Sequence, residues 1–256
     1  MLITTRQKRQ NLPLKCSPIS IGKQTVNEVD NHKVLGVTID CNLSWSSHMT
    51  ALCKSISKKV YQLSQIKHFL NLHARKLFCH AHIQSIIDYR STLWNSASAN
   101  TLKPLVSLHK RAIKAILKNT TLAISDYNFL SILPLKERLN YNKGVLIDKM
   151  MSGKVPPSLW AKFSQNQSRH FGKLNIPVSR IDLFKSSLVY SGSVLWNSLP
   201  DSLRLPPSTE TFKSRYMSYI VCHFMLYLVI VTRLKRFTIL CVSHLSLIYP
   251  PNVCCC

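Results

Sequence analysis

Residues 44–70 read SWSSHMTALCKSISKKVYQLSQIKHFL, and this stretch sets the character of the chain. Its apolar residues recur every three or four positions, which is the period of one face of an α-helix. A long amphipathic helix is therefore predicted here, with Ser44 or Ser46 as its N-cap. The apolar stripe consists of Met49, Leu52, Cys53, Ile56, Val60, Leu63, Ile66 and Leu70.

The same period continues toward the C-terminus. A second helix is predicted over residues 71–89, with Asn71 as its cap, and a third over residues 101–117. Pro104 fits the first turn of the third helix, where no backbone N–H is required. Residues 135–151 repeat the pattern and predict a fourth helix. The chain is therefore predicted to be mainly α-helical.

Toward the N-terminus the period changes. Residues 34–40 read VLGVTID, in which β-branched residues and alternation predict a strand. Residues 1–3 read MLI and add a short extended segment. A small β element is therefore predicted within residues 1–40, ahead of the helices.

Changes in composition divide the chain into four predicted parts. These are a β element at 1–40, a basic helical region at 41–155, a C-terminal module with a polar linker at 156–216, and an apolar tail at 217–256. Residues 219–248 form two apolar runs around a basic interruption, each shorter than the roughly 20 residues that a spanning helix needs. A membrane hairpin and a non-native tail are both retained as interpretations of this segment.

The chain is strongly basic. It carries 34 Lys+Arg against 10 Asp+Glu, which gives a formal net charge of +24. Such a charge favours a polyanionic partner, with nucleic-acid backbone and acidic lipid surface as the two candidates. Since 46% of its 256 residues are hydrophobic, the chain can bury a core, which argues against wholesale disorder. The scattered acids disfavour a two-metal site, which needs several carboxylates converging on ions about 4 Å apart.

The positive charge is concentrated between residues 41 and 124, where Asp88 is the single acid. Lysines spaced by four residues on a helix share one face, and a solvated face normally mixes both signs. The segregation therefore favours a phosphate-facing surface over a merely solvated one. The candidate nucleic-acid-binding residues are Lys54, Lys58, Lys59, Lys67, Arg75, Lys76, Lys110, Arg111, Lys114 and Lys118.

No catalytic, metal or cofactor site is predicted from the motifs. The nine cysteines include no C-x-x-C pair, and their odd number favours reduced thiols in a nuclear or cytoplasmic chain. Cys79 and His82 could share a metal ion, but two ligands do not complete a tetrahedral site. Phosphate-binding glycine loops and the nucleophile elbow are absent from the sequence. For Trp45 and Trp94, core packing and base stacking both stay open as interpretations.

Four short stretches together resemble a known family. They are VLGVTID, LSW and His48 within residues 34–48; RKLF, IDY and LW within 75–94; LHKRA and IL within 108–117; and SG, LWNSLP and FK within 191–213. In order and spacing, over roughly residues 1–216, they are similar to polyproteins of non-LTR (LINE-like) retrotransposons of the jockey and CR1 kind. The similar segment is the one that follows the catalytic palm of the reverse transcriptase.

The resemblance implies a thumb-like helical region of an RNA-directed DNA polymerase, without the catalytic palm. It implies that Val34, Leu35 and Gly36 form the loop that braces the primer terminus, and that the following helices grip the template–primer duplex. The Tyr/Phe-Ala-Asp-Asp turn that holds the catalytic metals of the family is missing from this sequence. The chain is therefore expected to be a truncated fragment that lacks polymerase activity alone.

Two functional hypotheses follow. In the first, the chain binds RNA or an RNA–DNA duplex through the phosphate backbone, with a polymerase palm supplied in trans as a further partner. In the alternative, it is a small basic membrane-associated protein in which residues 219–248 insert as a hydrophobic hairpin and the cationic helices lie on anionic lipid. The expected compartment is the nucleus or cytoplasm, or a membrane surface under the alternative.

Overall fold

The computed structural model describes Met1, Ile3 and residues 20–163, 172–204 and 208–223. The chain divides into two compact units, Met1–Leu205 and Pro206–Cys256. Residues 156–205 thus belong to the same unit as the helical region before them, and the four-part division stays a prediction. Leu2, residues 164–171 of the linker and residues 224–248 of the apolar run lie outside the described residues.

Two short hairpins form the β element of the first unit. The first pairs β1 (Ser20–Ile21) with β2 (Gln24–Thr25), and the second pairs β3 (Asn31–Val34) with β4 (Val37–Asp40). The prediction of one strand over residues 34–40 is therefore wrong. Leu35 and Gly36 have φ values of 49° and 83°, which is the signature of a two-residue type I′ turn. Gly36 adopts this backbone without strain, so the turn outweighs the strand propensity around it.

Helices make up most of the described chain, which confirms a mainly α fold with a small N-terminal β element. In the first unit they are α1 (Ser46–Ile66), α2 (Leu72–Cys79), α3 (Ser85–Asp88), α4 (Ser91–Trp94), α5 (Ala99–Leu117), α6 (Ile124–Leu130), α7 (Leu135–Met151), α8 (Pro157–Trp160), α9 (Asp182–Ser186), α10 (Leu188–Ser198) and α11 (Asp201–Arg204). The bounds predicted for the fourth helix, residues 135–151, coincide with those of α7.

Helix starts show where the caps were predicted well and where they were not. Asn71 caps α2, since its side chain accepts from the Ala74 N–H at 2.8 Å. The helix predicted from residue 101 begins two residues earlier, because Ser98 is the cap and accepts from the Thr101 N–H at 3.2 Å. Neither predicted serine caps α1, because Trp45 occupies that position in the left-handed region, with φ 63°.

The helix predicted over residues 71–89 is interrupted by a π-helical turn at His80–Gln84, between α2 and α3. The Ser85 N–H donates to the His80 carbonyl, five residues back. This turn accommodates one extra residue and changes the direction in which the following side chains point. Ile83, Gln84 and Ile87 consequently all face inward.

The core of the first unit is built around two helix pairs. In one, α1 packs against α5 through fully buried residues such as Ile56, Leu63 and Ile113. In the other, α7 packs against α10. Gly192 makes the second approach close, because a Cβ at this position would meet Ile147 Cδ1 at 3.0 Å. The apolar faces therefore bury each other in pairs, as the helical periodicity predicts.

The second unit is described over residues 208–223, of which 209–223 form helix α12. Ser208 caps this helix by accepting from the Thr211 N–H at 3.2 Å. Lys213 pairs with Glu210 one turn earlier at 2.7 Å. Among the described helices of either unit, none combines the length and the apolar character that crossing a membrane requires.

Candidate nucleic-acid interface

Two stripes of lysines lie on the outer faces of α1 and α5. We call Lys54 and Lys58 the α1 stripe, and Lys110, Lys114 and Lys118 the α5 stripe. All are exposed except Lys114, which is half-buried. None of the five side chains forms an ion pair or hydrogen bond within the part of the chain that the structure describes. Their charges are therefore available to a partner.

The two stripes face opposite sides of the helix pair. Each lies on the side of its helix opposite the buried face, which is centred on Ile56 in α1 and on Ala112 in α5. Because α1 and α5 meet through these buried faces, their outer faces point away from each other. The sequence suggested one phosphate-facing surface, but the fold provides two.

The remaining candidate cations are placed less uniformly. Arg111 is exposed beside the α5 stripe, whereas Lys59, Lys67 and Lys76 are half-buried. Arg75 is 7% exposed, and its Nε donates to the Asn71 carbonyl at 3.3 Å. Because Arg75 is buried, this residue is removed from the candidate surface.

Asp88, the single acid of residues 41–124, has partners other than the lysines. Its two carboxylate oxygens accept from Arg138 Nε at 3.0 Å and from Arg138 Nη2 at 2.6 Å. Asn142 and Gln84 donate to Oδ1 at 2.8 and 3.1 Å. Burial opposes ionisation of the carboxyl, but the hydrogen bonds and charge of Arg138, with those of Asn142 and Gln84, hold its pKa below the usual value. Asp88 therefore joins α3 to α7 and does not neutralise the lysine stripes.

His109 lies close to this cluster and is also part of the interior. It is 1% exposed, and its ring stacks on that of Tyr127 with 6.4 Å between the ring centroids. Burial lowers the pKa of His109 to about 4, so the imidazole is neutral at physiological pH. Its Nε2 has no hydrogen-bond partner among the described residues. Although it adjoins Lys110 in sequence, His109 does not contribute to the charged surface.

One residue that the sequence did not single out belongs to the α1 stripe. Tyr61 is 62% exposed and follows Lys54 and Lys58 on the outer face of α1, seven and three residues later. An exposed aromatic ring beside cations can stack on an unpaired base. Its spacing of seven and three residues from Lys54 and Lys58 could have revealed it in the sequence. It was overlooked because apolar residues such as Val60 and Leu63 are close to it in the chain.

The predicted primer-bracing residues form the turn of the second hairpin. Val34 and Leu35 are 42% and 69% exposed. The Tyr89 hydroxyl donates to the Leu35 carbonyl at 2.8 Å and fixes the turn against the end of α3. Gly36 lines a groove of about 520 Å³ whose other walls include Lys33 and Ser55. The structure thus places an exposed, anchored turn beside a groove, while its role at a primer terminus stays a prediction.

Asp40 holds the connection between β4 and α1. Its Oδ1 accepts from the backbone N–H of Asn42 and of Ser44 at 3.1 and 2.8 Å. Its Oδ2 accepts from the Ser44 hydroxyl at 3.1 Å and from the Trp45 N–H at 2.7 Å. These four hydrogen bonds support the left-handed backbone at Trp45. Asp40 therefore has a structural role at the start of α1.

The tryptophans left open by the sequence are core residues. Trp45 and Trp94 are 7% and 0% exposed, and their indole N–H groups donate to Ser96 Oγ at 2.8 Å and to the Tyr89 carbonyl at 3.3 Å. Neither ring can stack on a base from this position.

The metal interpretation of Cys79 and His82 gains no support. Cys79 is 2% exposed, and burial raises the pKa of its thiol to about 12. A thiol held in its neutral form is a poor ligand, since metals bind the thiolate. Within the described residues, no group of three or more His, Cys, Asp or Glu side chains is arranged to hold a metal ion.

Comparison with known protein families, characterised proteins and solved structures finds no match to this chain.

Proposed function

We propose that this chain is a thumb-like region related to the reverse transcriptases of LINE-like retrotransposons, and that it binds the phosphate backbone of RNA or of an RNA–DNA duplex. The observation that carries the proposal is the pair of outward lysine stripes without acidic partners, beside an Asp88 that is fully engaged by Arg138. The order of sequence stretches over residues 34–213 supports the family relationship.

The α5 stripe suits a regularly spaced polyanion. Lys110 and Lys114 are four residues apart in α5, which places them about 6 Å apart along the helix axis. Lys118 follows as the C-cap of the helix, with φ 58°. Phosphates of one strand recur about every 3.4 Å along a duplex axis, so successive lysines meet phosphates roughly two steps apart. Such contacts position a duplex without reading its sequence. Binding is therefore steered by charge and is independent of base composition.

The α5 side is the one that we assign to the duplex. Lys103 and Arg111 extend the α5 stripe to five cations on one outer surface, and both are exposed. The α1 stripe has two lysines and the exposed Tyr61. Because the stripes point to opposite sides, a single duplex bound by one copy of the chain contacts one of them. The α5 side attracts the duplex more strongly, since it carries more positive charge.

The proposal includes no polymerase chemistry for this chain alone. Metal-dependent nucleotide transfer needs carboxylates that converge on two ions. All ten acids of the sequence lie among the described residues, and several have structural partners, such as Asp40 at the start of α1, Asp88 with Arg138 and Asp126 with the Ala123 N–H at 2.7 Å. A polymerase palm supplied in trans would provide the reaction, in the nucleus or cytoplasm. Extension of a primer on RNA by the purified chain would contradict this part of the proposal.

The experiment is binding of the full chain to a labelled RNA–DNA duplex across a salt series. Log affinity should fall linearly with log salt, and changing Lys110, Lys114 and Lys118 to Ala should reduce the slope by about 3, since each neutralised phosphate contributes about 0.9. The matched control changes three dispersed exposed lysines, Lys23, Lys136 and Lys162, to Ala. This control removes the same charge but should alter the slope much less.

Three outcomes would contradict the proposal or redirect it. Equal effects of the α5 variant and the dispersed control would show that only net charge matters. A larger effect of Lys54→Ala with Lys58→Ala would assign the duplex to the α1 side. Absence of duplex binding at low salt, combined with binding to vesicles of anionic lipid, would favour the membrane-associated alternative.

A further inference from the structure

A small pocket lies between α4 and α7, apart from the two lysine stripes. Its volume is about 190 Å³. Asp88 and Asn142, which connect α3 to α7 through a hydrogen bond, form part of its wall. The polar residues of its lining are Asp88, Arg90, Ser91, Thr92, Asn142 and Lys149.

The pocket carries a local excess of positive charge. Asp88 is the one acid in its lining, and Arg138 neutralises that charge through a bidentate pair. The side chains of Arg90 and Lys149 form no ion pair or hydrogen bond within the described part of the chain. The Arg90 guanidinium lies over the Tyr89 ring, 5.3 Å from its centroid, which leaves its N–H groups available. Two cations thus border the pocket without a counter-charge.

The wall of the pocket also contains an unused donor. Ser91 is 1% exposed, and its Oγ accepts from Asn142 Nδ2 at 3.0 Å. Its own O–H has no acceptor among the described residues, although a buried hydroxyl normally donates. The Thr92 hydroxyl is likewise without a partner in this part of the chain. The pocket therefore offers hydroxyl donors together with two cations, and the carboxylate in its lining already accepts hydrogen bonds from Arg138, Asn142 and Gln84.

We infer that this pocket binds a phosphate group, held by the Arg90 guanidinium, the Lys149 ammonium and the hydroxyls of Ser91 and Thr92. Phosphate oxygens accept several charge-assisted hydrogen bonds at once, which matches the two cations and the two hydroxyl groups of the pocket. As a backbone phosphate, the ligand rests on the proposed function. As a free phosphate ion, it is independent of that function.

The first test is titration of the full chain with inorganic phosphate, against chloride at matched ionic strength. The wild-type chain should show saturable binding, and Lys149→Ala should weaken it about tenfold, as expected for loss of one charge-assisted contact. Lys136→Ala is the matched control, because Lys136 is also exposed on the same helix but does not line the pocket. Thr92→Val should weaken binding less, since it removes one neutral hydroxyl while keeping the shape.

Absence of saturable binding, or equal affinities of the Lys149 and Lys136 variants, would overturn the inference. A second arm identifies the source of the phosphate. If phosphate displaces a bound RNA–DNA duplex more strongly than chloride does, and Lys149→Ala abolishes the difference, the pocket binds a backbone phosphate. If phosphate binds without displacing the duplex, the ligand is the free ion. Phosphate binding without any duplex binding would contradict the proposed function but support the pocket.

Discussion

The α1–α5 pair and the α7–α10 pair use positive charge in opposite ways. Between α1 and α5 the contact is apolar, and lysines such as Lys58 and Lys114 lie on the outside without acidic partners. In the α7–α10 pair two cations of α7 are used inside the fold, whereas Lys136 and Lys149 stay exposed. Lys143 is 8% exposed and its Nζ donates to Ser191 Oγ at 3.0 Å, while Arg138 binds Asp88. Burial lowers the pKa of Lys143, because the charged ammonium loses its hydration at this position.

The difference teaches that the net charge of a segment does not tell which cations a partner can reach. Both pairs consist of amphipathic helices, and both carry lysines at helical spacing. What distinguishes the inward cations is a polar acceptor in a neighbouring element, which is the Asp88 carboxylate of α3 for Arg138 and the Ser191 hydroxyl of α10 for Lys143. Cations with an internal acceptor stabilise the fold, and cations without one are left for recognition.

The largest expected effect comes from breaking the inward charge pair. Asp88→Ala leaves the Arg138 guanidinium partly buried without its carboxylate, and also removes the acceptor of Asn142 and Gln84. We expect a loss of about 3 kcal/mol in the free energy of unfolding, at the lower end for broken buried pairs, because the two side chains are still 23% and 27% exposed. Urea denaturation of the full chain measures it. Asp182→Ala is the control, because the pair of Asp182 with Lys185 is exposed and should contribute no measurable stability.

A second expected effect concerns His109, the neutral residue beside this cluster. The unfolded chain protonates this residue near pH 6.5, whereas the folded chain does so near pH 4. The unfolded state therefore binds more protons between these values, and the free energy of unfolding falls as the pH drops from 6.5 to 4. The share due to His109 is about 3 kcal/mol over this window. His109→Gln should flatten the pH dependence by that amount, and an unchanged slope would contradict the buried neutral assignment.

Sequence periodicity was enough for the helices but not for the polar contacts between them. The apolar stripe of residues 44–70 predicted α1, and Leu135 to Met151 coincides with α7, because side-chain burial every three or four residues is a local signal. The Leu35-Gly36 turn was missed, since a glycine within a β-branched run is also compatible with a strand. The π-turn at His80–Gln84 was missed because the apolar periodicity of residues 71–89 continues through it and gives no local signal of the extra residue.

The candidate site was predicted in part for a related reason. Spacing predicted one face for Lys110, Lys114 and Lys118; the structure places Lys110 and Lys114 on the outer face of α5 and Lys118 at its left-handed C-cap. It could not show that Arg75 packs inward, because a long side chain can turn either way from the same backbone position. It also could not show that the α1 and α5 stripes face opposite sides, since this depends on which helices pack together. The isolated Asp88 was a signal that the sequence analysis did not use. A single acid among many cations favours a specific charge pair, which is the one with Arg138.

A smaller effect sharpens the comparison from the other side, through the close contact within the α7–α10 pair. A Cβ at Gly192 would meet Ile147 Cδ1 at 3.0 Å, and Ile147→Val removes that atom. Ile147→Val alone should cost about 1 kcal/mol of unfolding free energy, but almost nothing in a Gly192→Ala background, where the new methyl group fills the space. The expected coupling in a double-mutant cycle is therefore about 1 kcal/mol. Strictly additive costs would mean that the two helices adjust freely.

The smallest expected effect on stability is at the outward lysines, and it separates recognition from folding. Lys110→Ala with Lys114→Ala removes two like charges one helical turn apart, so the free energy of unfolding should stay the same or rise by about 0.5 kcal/mol. Lys143→Ala is the matched contrast, because the same substitution at a buried lysine removes packing and leaves Ser191 without its donor. If the outward double variant destabilised the chain as much as Lys143→Ala, Lys110 and Lys114 would contribute to folding stability. Weaker duplex binding by that variant could then no longer be assigned to a lost phosphate contact.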